Sequence, residues 1–426
     1  MRAKIQLLLV LIMSCCSVWA QEGKPWKEIL DNADVAAIGQ SNPNRWGSSN
    51  HPFEISDESD LRKIAQIVNA RAPFTRTIHS PLVGVHFILT NDIALEGETN
   101  PWESIGGYRT GAVGSHLDNH SFNGTFDGAG YLISNLYINN FVTGGDTSYR
   151  FAALFGVVRR GGAIMNLGVQ GKIKITTASG GMRIGLLVGC NEGATIENCY
   201  AIGEVSYITN LSSGSIGNRQ NTGLLVGYNS DFSNSAAIIR NCYAIGTVKT
   251  EYNNTSITPG LNGIHTGGLV GENRSSRIEN SYAAVEVIAD KGHIGTLVGH
   301  NFRNGSLLTT INDCYSKNGV AGGCGRNQHL DTINIYDLSD IDNDLDNLSA
   351  STWKIPGIPD HYPYLAGAFE NSGNLVEVEL NFNGGHLTAN TSIGGTVSVK
   401  TNKGNAITLP VVAGITAPTG GYTGQG

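Results

Sequence analysis

Gly185-Leu-Leu-Val-Gly-Cys-Asn191 recurs as Gly223-Leu-Leu-Val-Gly-Tyr-Asn229, Gly267-Gly-Leu-Val-Gly-Glu-Asn273 and Gly295-Thr-Leu-Val-Gly-His-Asn301. Each copy leads to a second phrase: Ile196-Glu-Asn-Cys-Tyr-Ala201, Ile239-Arg-Asn-Cys-Tyr-Ala244, Ile278-Glu-Asn-Ser-Tyr-Ala283 and Ile311-Asn-Asp-Cys-Tyr-Ser316. Leu154-Phe-Gly156 with Ile164-Met-Asn-Leu167 is a degenerate copy at the front. Shared composition does not produce four close copies of a paired motif, so the chain is a repeat architecture. Each phrase holds a short run rich in Val, Leu, Ile, Tyr and Cys, punctuated by Gly and Asn. Such runs suit short strands and are too short for helices. The second glycine of the first phrase advances by 38, 44 and 28 residues between copies, so the spacers vary while the phrases stay fixed. Stacked coils with insertions on one side behave in this way. The expected fold is all-β, a right-handed parallel β-helix.

The second phrase sets the side-chain phase. An Asn in a left-handed turn restarts the strand alternation behind it. Cys199, Ala201, Gly203 and Val205 then face inward, as do Cys242, Ala244, Gly246 and Val248 one coil on. Asn198, Asn241, Asn280 and Asp313 form a column at the turn. Tyr200, Tyr243, Tyr282 and Tyr315 form an outward column, the expected ligand-binding residues, about 4.8 Å apart per coil. A row of phenol rings suits sugars or an extended partner chain. The competing expectation is that insertions such as residues 206–221 fold over the row and bury it.

At these residues the chain resembles the GLUG-motif repeat of bacterial surface proteins, some of them attached to IgA-specific metallopeptidases. The resemblance extends upstream through Pro52-Phe-Glu-Ile-Ser56, Asp60-Leu-Arg-Lys-Ile-Ala65, Leu89-Thr-Asn-Asp-Ile-Ala94, Trp102-Glu-Ser-Ile-Gly106, Phe122-Asn-Gly-Thr-Phe-Asp-Gly128 and Ile133-Ser-Asn-Leu136. Downstream it reaches Trp353 and Tyr362-Pro-Tyr-Leu365, covering roughly residues 52–366. It implies a secreted or surface-displayed protein and, more loosely, adhesion. His-Glu-x-x-His does not occur, so the peptidase motif is not in this sequence.

Arg2 and Lys4 precede the apolar run Ile5–Met13, and small residues end at Val18-Trp-Ala20. This reads as a secretory signal, residues 1–20, cleaved after Ala20. Ile12-Met-Ser-Cys15 also resembles a lipoprotein box, which would place a lipid anchor on Cys15. No later apolar run is long enough to span a membrane. Residues 21–51 read as a polar leader. Leu61, Ile64, Ala65 and Val68 share one face of a short helix, expected to cap the first coil. Residues 351–365 are expected to close the other end with aromatics. Residues 367–426 read as a small β-rich segment, with Leu375-Val-Glu-Val-Glu-Leu-Asn-Phe382 alternating ahead of an Asn-Gly turn.

The chain carries a net charge of −7, which disfavours a nucleic-acid partner. Five cysteines lie beyond the signal; their odd number and repeat-locked positions point to buried thiols rather than bridges or zinc. Asp127 is a candidate carboxylate for a β-helix carbohydrate-active enzyme, but a turn Asp bonding its own backbone is the preferred reading. Glycoside hydrolysis uses two facing carboxylates, and the repeat position Glu197, Arg240, Glu279 and Asn312 supplies no recurring pair. Asp340, Asp342, Asp344 and Asp346 could chelate calcium, but the Gly and Glu of a helix-loop-helix site are missing there, which favours a solvated acidic loop or helix start and no metal. The histidines look scattered, and His300 occupies a variable position. No cofactor and no catalytic residue is assigned. The expected function is a non-catalytic surface module, an adhesin or stalk, binding a glycan or a host or cell-surface protein; the alternative is a polysaccharide lyase or glycoside hydrolase.

Overall fold

A computed structural model describes residues 26–29, 45–69, 82–107, 120–139, 150–177, 182–209, 220–253, 263–317, 322–328, 333–338, 353–354 and 364–365, together with short strands between 375 and 416. The signal sequence, its cleavage point after Ala20, Cys15 and Asp340–Asp346 lie outside these residues.

The chain is a parallel β-helix. One coil runs through strands Met182–Ile184, Val188–Glu192, Thr195–Glu197 and Tyr200–Thr209. The next runs through Gln220–Thr222, Val226–Ser230, Ile238–Arg240 and Tyr243–Tyr252, each paired in parallel with its predecessor. The pattern continues backward to Phe53–Ile55 and forward to Ile333–Asp337. It yields a five-stranded, a six-stranded and a 15-stranded sheet. The 15-stranded sheet is two ladders joined because Thr310–Ser316 runs through both without a break.

The turn between those two ladders is the one expected from the second phrase. Asn198, Asn241, Asn280 and Asp313 all have positive φ, between 47° and 53°. Asn tolerates this conformation, and its amide repays it by bonding along the stack. Asn241 donates to Asn198 and Asn198 to Asn166, both at 3.0 Å. The alternation restarts as predicted: Cys199, Ala201 and Val205 are buried in the main core. Gly203 has φ +144°, and a Cβ there would collide with the Gly171 carbonyl, so any larger residue would push the coils apart.

A second amide ladder belongs to the first phrase. Asn191, Asn229, Asn273, Asn301 and Asn327 bond in succession, at 2.8, 2.8, 2.9 and 3.0 Å, and the first four are fully buried. The closing Asn of Gly-Leu-Val-Gly-x-Asn thus satisfies its amide within the stack, which makes it tolerable inside a core.

Glu58–Asn69 forms the predicted helix, α1, and buries Leu61, Ile64, Ala65, Ile67 and Val68. Asp57 Oδ1 accepts the Asp60 N–H at 2.9 Å, and Asp60 Oδ2 accepts from Ser56 N and Oγ, both at 3.0 Å. These bonds satisfy groups that a helix start leaves open. The leader is not wholly a polar tail. Trp26 is buried, donates from Nε1 to the Asp60 carbonyl at 3.1 Å, and packs on Phe53 and Phe87. Its indole gains apolar contact and a hydrogen-bond partner together, which the surrounding polar residues concealed. From there a spine of Phe53, Phe87, Phe122, Phe126 and Phe155 fills the first coils.

Beyond the coils, Leu375–Asn381 pairs antiparallel with Thr396–Asn402, and His386–Leu387 with Thr391–Ser392 and Ile415–Thr416. The segment is β-rich, with a pairing pattern distinct from that of the coils.

Cys199, Cys242 and Cys314 are buried and free. Burial pushes the Cys199 thiol well up and the Cys314 thiol up to about 12. Neither is a thiolate at neutral pH, so attack on a disulfide reagent is slow. Thiol titration of the native chain at neutral pH is expected to leave all three unreacted and to recover them in denaturant. Rapid native labelling of the three would mean that the phase of the coil is wrong.

Candidate functional site

Tyr200, Tyr243, Tyr282 and Tyr315 do form a column facing away from the main core. Ring centroids lie 4.9 Å apart between Tyr200 and Tyr243 and 5.1 Å between Tyr243 and Tyr282, with the planes parallel to within 3°. The column is not exposed: the four tyrosines retain 3% or less of their surface. Trp353 lies 6.0 Å from Tyr243 and 5.6 Å from Tyr282, and Leu338 and Leu365 share the cluster. The two-stranded piece formed by Trp353–Lys354 and Tyr364–Leu365 therefore lies on the flank. The expected open ligand platform is corrected to an internal packing surface, and the expected aromatic end cap to a side cover. The physical reason is that a row of aromatic faces is itself a large apolar patch, and covering it with Trp353 removes that surface from water.

A different site assembles between the five-stranded and six-stranded sheets. In the former, Arg183, Asn221, His265 and His293 follow one another in register. The variable residue of Gly-Leu-Val-Gly-x-Asn runs Cys190, Tyr228, Glu272, His300, Arg326. Glycine lets the two sheets approach: a Cβ at Gly227 would stand 2.6 Å from the Ile184 nitrogen and 2.7 Å from the Gly189 oxygen. The two columns meet along a polar seam. Arg183 Nη1 is 2.8 Å from Cys190 Sγ, and its guanidinium lies 3.9 Å over the Tyr228 ring. His265 Nε2 is 3.5 Å from Glu272 Oε2, and His300 Nδ1 is 4.0 Å from Glu272 Oε1.

The seam is buried. Glu272 is fully enclosed, His265 is 1% exposed and His300 6%. At its front Glu192 pairs with Arg159 at 3.0 Å and Arg183 at 3.5 Å, while Arg159 stacks 3.8 Å over Phe232. Burial pushes the Cys190 thiol well up, against the pull of Arg183, so it is no ready nucleophile. Burial, then the charge of Arg326, lowers the basicity of His293 and favours its neutral form.

His265, His293 and His300 come together at the far end of the seam. Ring centroids are 5.1 Å apart for His265–His293, 4.6 Å for His265–His300 and 4.9 Å for His293–His300. One nitrogen from each lies within 4.8 Å of the others, a grouping able to hold a metal ion. Linear spacing hid this cluster, and His300 is not the variable surface residue expected of it. The signal was present in the repeats: His265 stands two residues before Gly267, and His293 two before Gly295.

Asp127 accepts from the Ala129 N–H at 2.8 Å and from Asn166 Nδ2 at 3.0 Å. It closes a turn and anchors the first amide ladder. Among the described residues, no helix is long and apolar enough to cross a membrane.

The GLUG motif matches at residues 180–206 and 218–249, the two central coils. The chain carries the GLUG motif, as its repeats suggested. Halomucin from Haloquadratum walsbyi (strain DSM 16790 / HBSQ001) is 28% identical over 176 residues, which is 41% of this chain and 2% of halomucin. The chain thus spans a small fraction of the curated relative it matches. A crystal structure from Bacteroides ovatus, of a protein provisionally named an immunoglobulin A1 protease, aligns with a TM-score of 0.43 at 17% identity. That alignment covers 79% of this chain and 97% of the other. GLUG repeats and the halomucin match together suggest a surface-associated, β-rich protein.

Two outcomes test these assignments. Tyr243→Ala removes a ring buried between Tyr200, Tyr282 and Trp353, and should destabilise the fold by about 3–5 kcal/mol in denaturant unfolding; a near-neutral result would mean the cover is open in solution. Glu192→Gln leaves Arg159 and Arg183 without their shared carboxylate and should cost about 3–5 kcal/mol. Arg159→Met should cost less in the Glu192→Gln background than in the parent, because the two residues are partners of each other.

Proposed function

We propose that this protein is a secreted or surface-displayed, non-catalytic β-helix module, a stalk or adhesin whose spacer segments bind a glycan or a cell-surface protein. The observation that supports this reading most is how the repeats use their polar groups. The recurring Asn residues bond to their own counterparts one coil away, and the recurring Tyr residues stack on one another under Trp353. What recurs is engaged in building the rod. What differs between copies is the spacers, so recognition of a partner falls to them. Function is argued from sites rather than folds, and here the repeated positions build a rigid support. The GLUG motif and the amino-terminal signal-like run fit export to the surface.

The full chain applied to glycan and extracellular-matrix arrays is expected to bind a restricted set of partners, and shortening the spacer at 254–262 or 210–219 to weaken binding without unfolding the coils. Release of reducing sugar or unsaturated uronate from common polysaccharides by the purified chain would overturn the non-catalytic reading.

A further inference from the structure

We propose that His265, His293 and His300 bind a divalent late-transition-metal ion of the zinc class, with Glu272 behind them, and that this ion pins two neighbouring coils together. His265 and Glu272 belong to one coil, on strands Ile264–Gly267 and Val270–Arg274. His293 and His300 belong to the next, on His293–Gly295 and Val298–Phe302. An ion shared by the three rings is therefore a cross-link between coils, made where the chain has no disulfide among its described cysteines.

Two donor atoms already stand at a chelating distance, and His300 brings a third nitrogen within 4.8 Å of them. His265 Nδ1 and His293 Nδ1 lie 3.1 Å apart. Two nitrogens at that separation, each about 2.1 Å from one ion, subtend about 95°, close to the angles that zinc-class ions accept. A hydrogen or a cation must lie between these two nitrogens, and with Arg326 donating to His293 Nε2 it is the Nδ1 hydrogen of His293 that an ion would displace. With the ion on Nδ1, His265 carries its hydrogen on Nε2, which faces Glu272 Oε2 at 3.5 Å. With the ion on Nε2 of His300, its Nδ1–H faces Glu272 Oε1 at 4.0 Å. At these distances Glu272 offers both rings a buried negative charge, and a small closing movement would turn the contacts into the carboxylate–histidine bonds that strengthen a metal ligand. Glu272 is itself held: the Asn221 amide, oriented to satisfy its neighbours, donates to Oε2 at 3.2 Å and to the Gln220 carbonyl at 3.1 Å.

Three imidazoles with one carboxylate select zinc, copper, nickel or cobalt over calcium and magnesium, which prefer all-oxygen shells. His293 is half-buried and gives the ion its way in. One group opposes binding. Arg326 Nη1 sits 3.3 Å from His293 Nε2. When His293 binds through Nδ1, its Nε2 bears a hydrogen, and the guanidinium must turn away. Arg326 therefore weakens the site, an effect no merely structural polar cluster would show toward metal.

The test uses the full chain without an affinity tag, stripped of metal and titrated with Co2+ and Zn2+. One equivalent of Co2+ is expected to give visible ligand-field absorption. Zn2+ is expected to displace it and raise the melting temperature, and a chelator to reverse both. His293→Gln should abolish the absorption and the thermal shift. Glu272→Gln should lower affinity about 10–100-fold, and Arg326→Gln should raise it. Absence of stoichiometric Co2+ binding by the parent would overturn the proposal, as would equal affinity in His293→Gln, which would place the ion elsewhere. If His293→Gln does not fold, Arg326→Gln decides: tighter Co2+ binding supports the site, and unchanged or weaker binding refutes it.

Discussion

In-register parallel pairing between successive coils is the constraint on which the rest of this structure depends. Tyr200 pairs with Tyr243, Tyr243 with Tyr282 and Tyr282 with Tyr315, and the strand residues that follow keep the same register, Ala201 with Ala244 and Ala283, Val205 with Val248 and Val287. Each repeat position thus becomes a column whose members sit about 4.8 Å apart. A residue type survives at such a position only if it tolerates copies of itself as nearest neighbours. Asn does so by donating its amide to the next side-chain carbonyl. Tyr does so by stacking ring on ring, and Cys as a small buried hydrophobe. Gly203 and Gly246 permit a backbone approach that no side chain allows. The repeated phrases are a list of residues that pass this test.

Charged residues fail it, and the variable positions show the consequence. Glu197, Arg240 and Glu279 follow one another up a column in alternating sign, with Arg240 2.7 Å from Glu197. Lys172 pairs with Glu204 in the same manner on the outer face. Inside the seam, where water cannot screen like charges, the two columns mix Arg, Asn and His with Cys, Tyr, Glu, His and Arg. Cation, carboxylate and ring lie against one another, and no charged residue stacks on its own kind. Chemistry therefore concentrates where the repeat is least regular. The histidine cluster is the clearest instance, and it needs both sheets and two coils to exist.

A stack of coils also has ends and a flank that must be closed. Trp26 packs on Phe53 and Phe87 at the first strands of the stack, and the apolar face of α1 joins the same core. Trp353 and Leu365 lie instead along the tyrosine column. That column is too apolar to be left in water, and the hairpin that covers it is drawn from a segment well beyond the last matching coil.

The amino-acid sequence by itself determined the repeat, the parallel stacking of its strands, the left-handed Asn turn and the inward and outward faces of the second phrase. These are local or periodic properties, and a strict repeat exposes them because each copy reports the same environment. It determined α1 for the same reason, since Leu61, Ile64, Ala65 and Val68 lie on one helical face. Only the tertiary structure decided whether an outward face is also an exposed one. Burial of the tyrosines depends on Trp353, far along the chain, and burial of Trp26 on α1 and Phe53. The meeting of His265, His293, His300 and Glu272 was likewise decided in space. Two residues at unrelated offsets become neighbours only when a glycine-lined turn folds one sheet onto another, a juxtaposition that periodicity along a single strand does not encode.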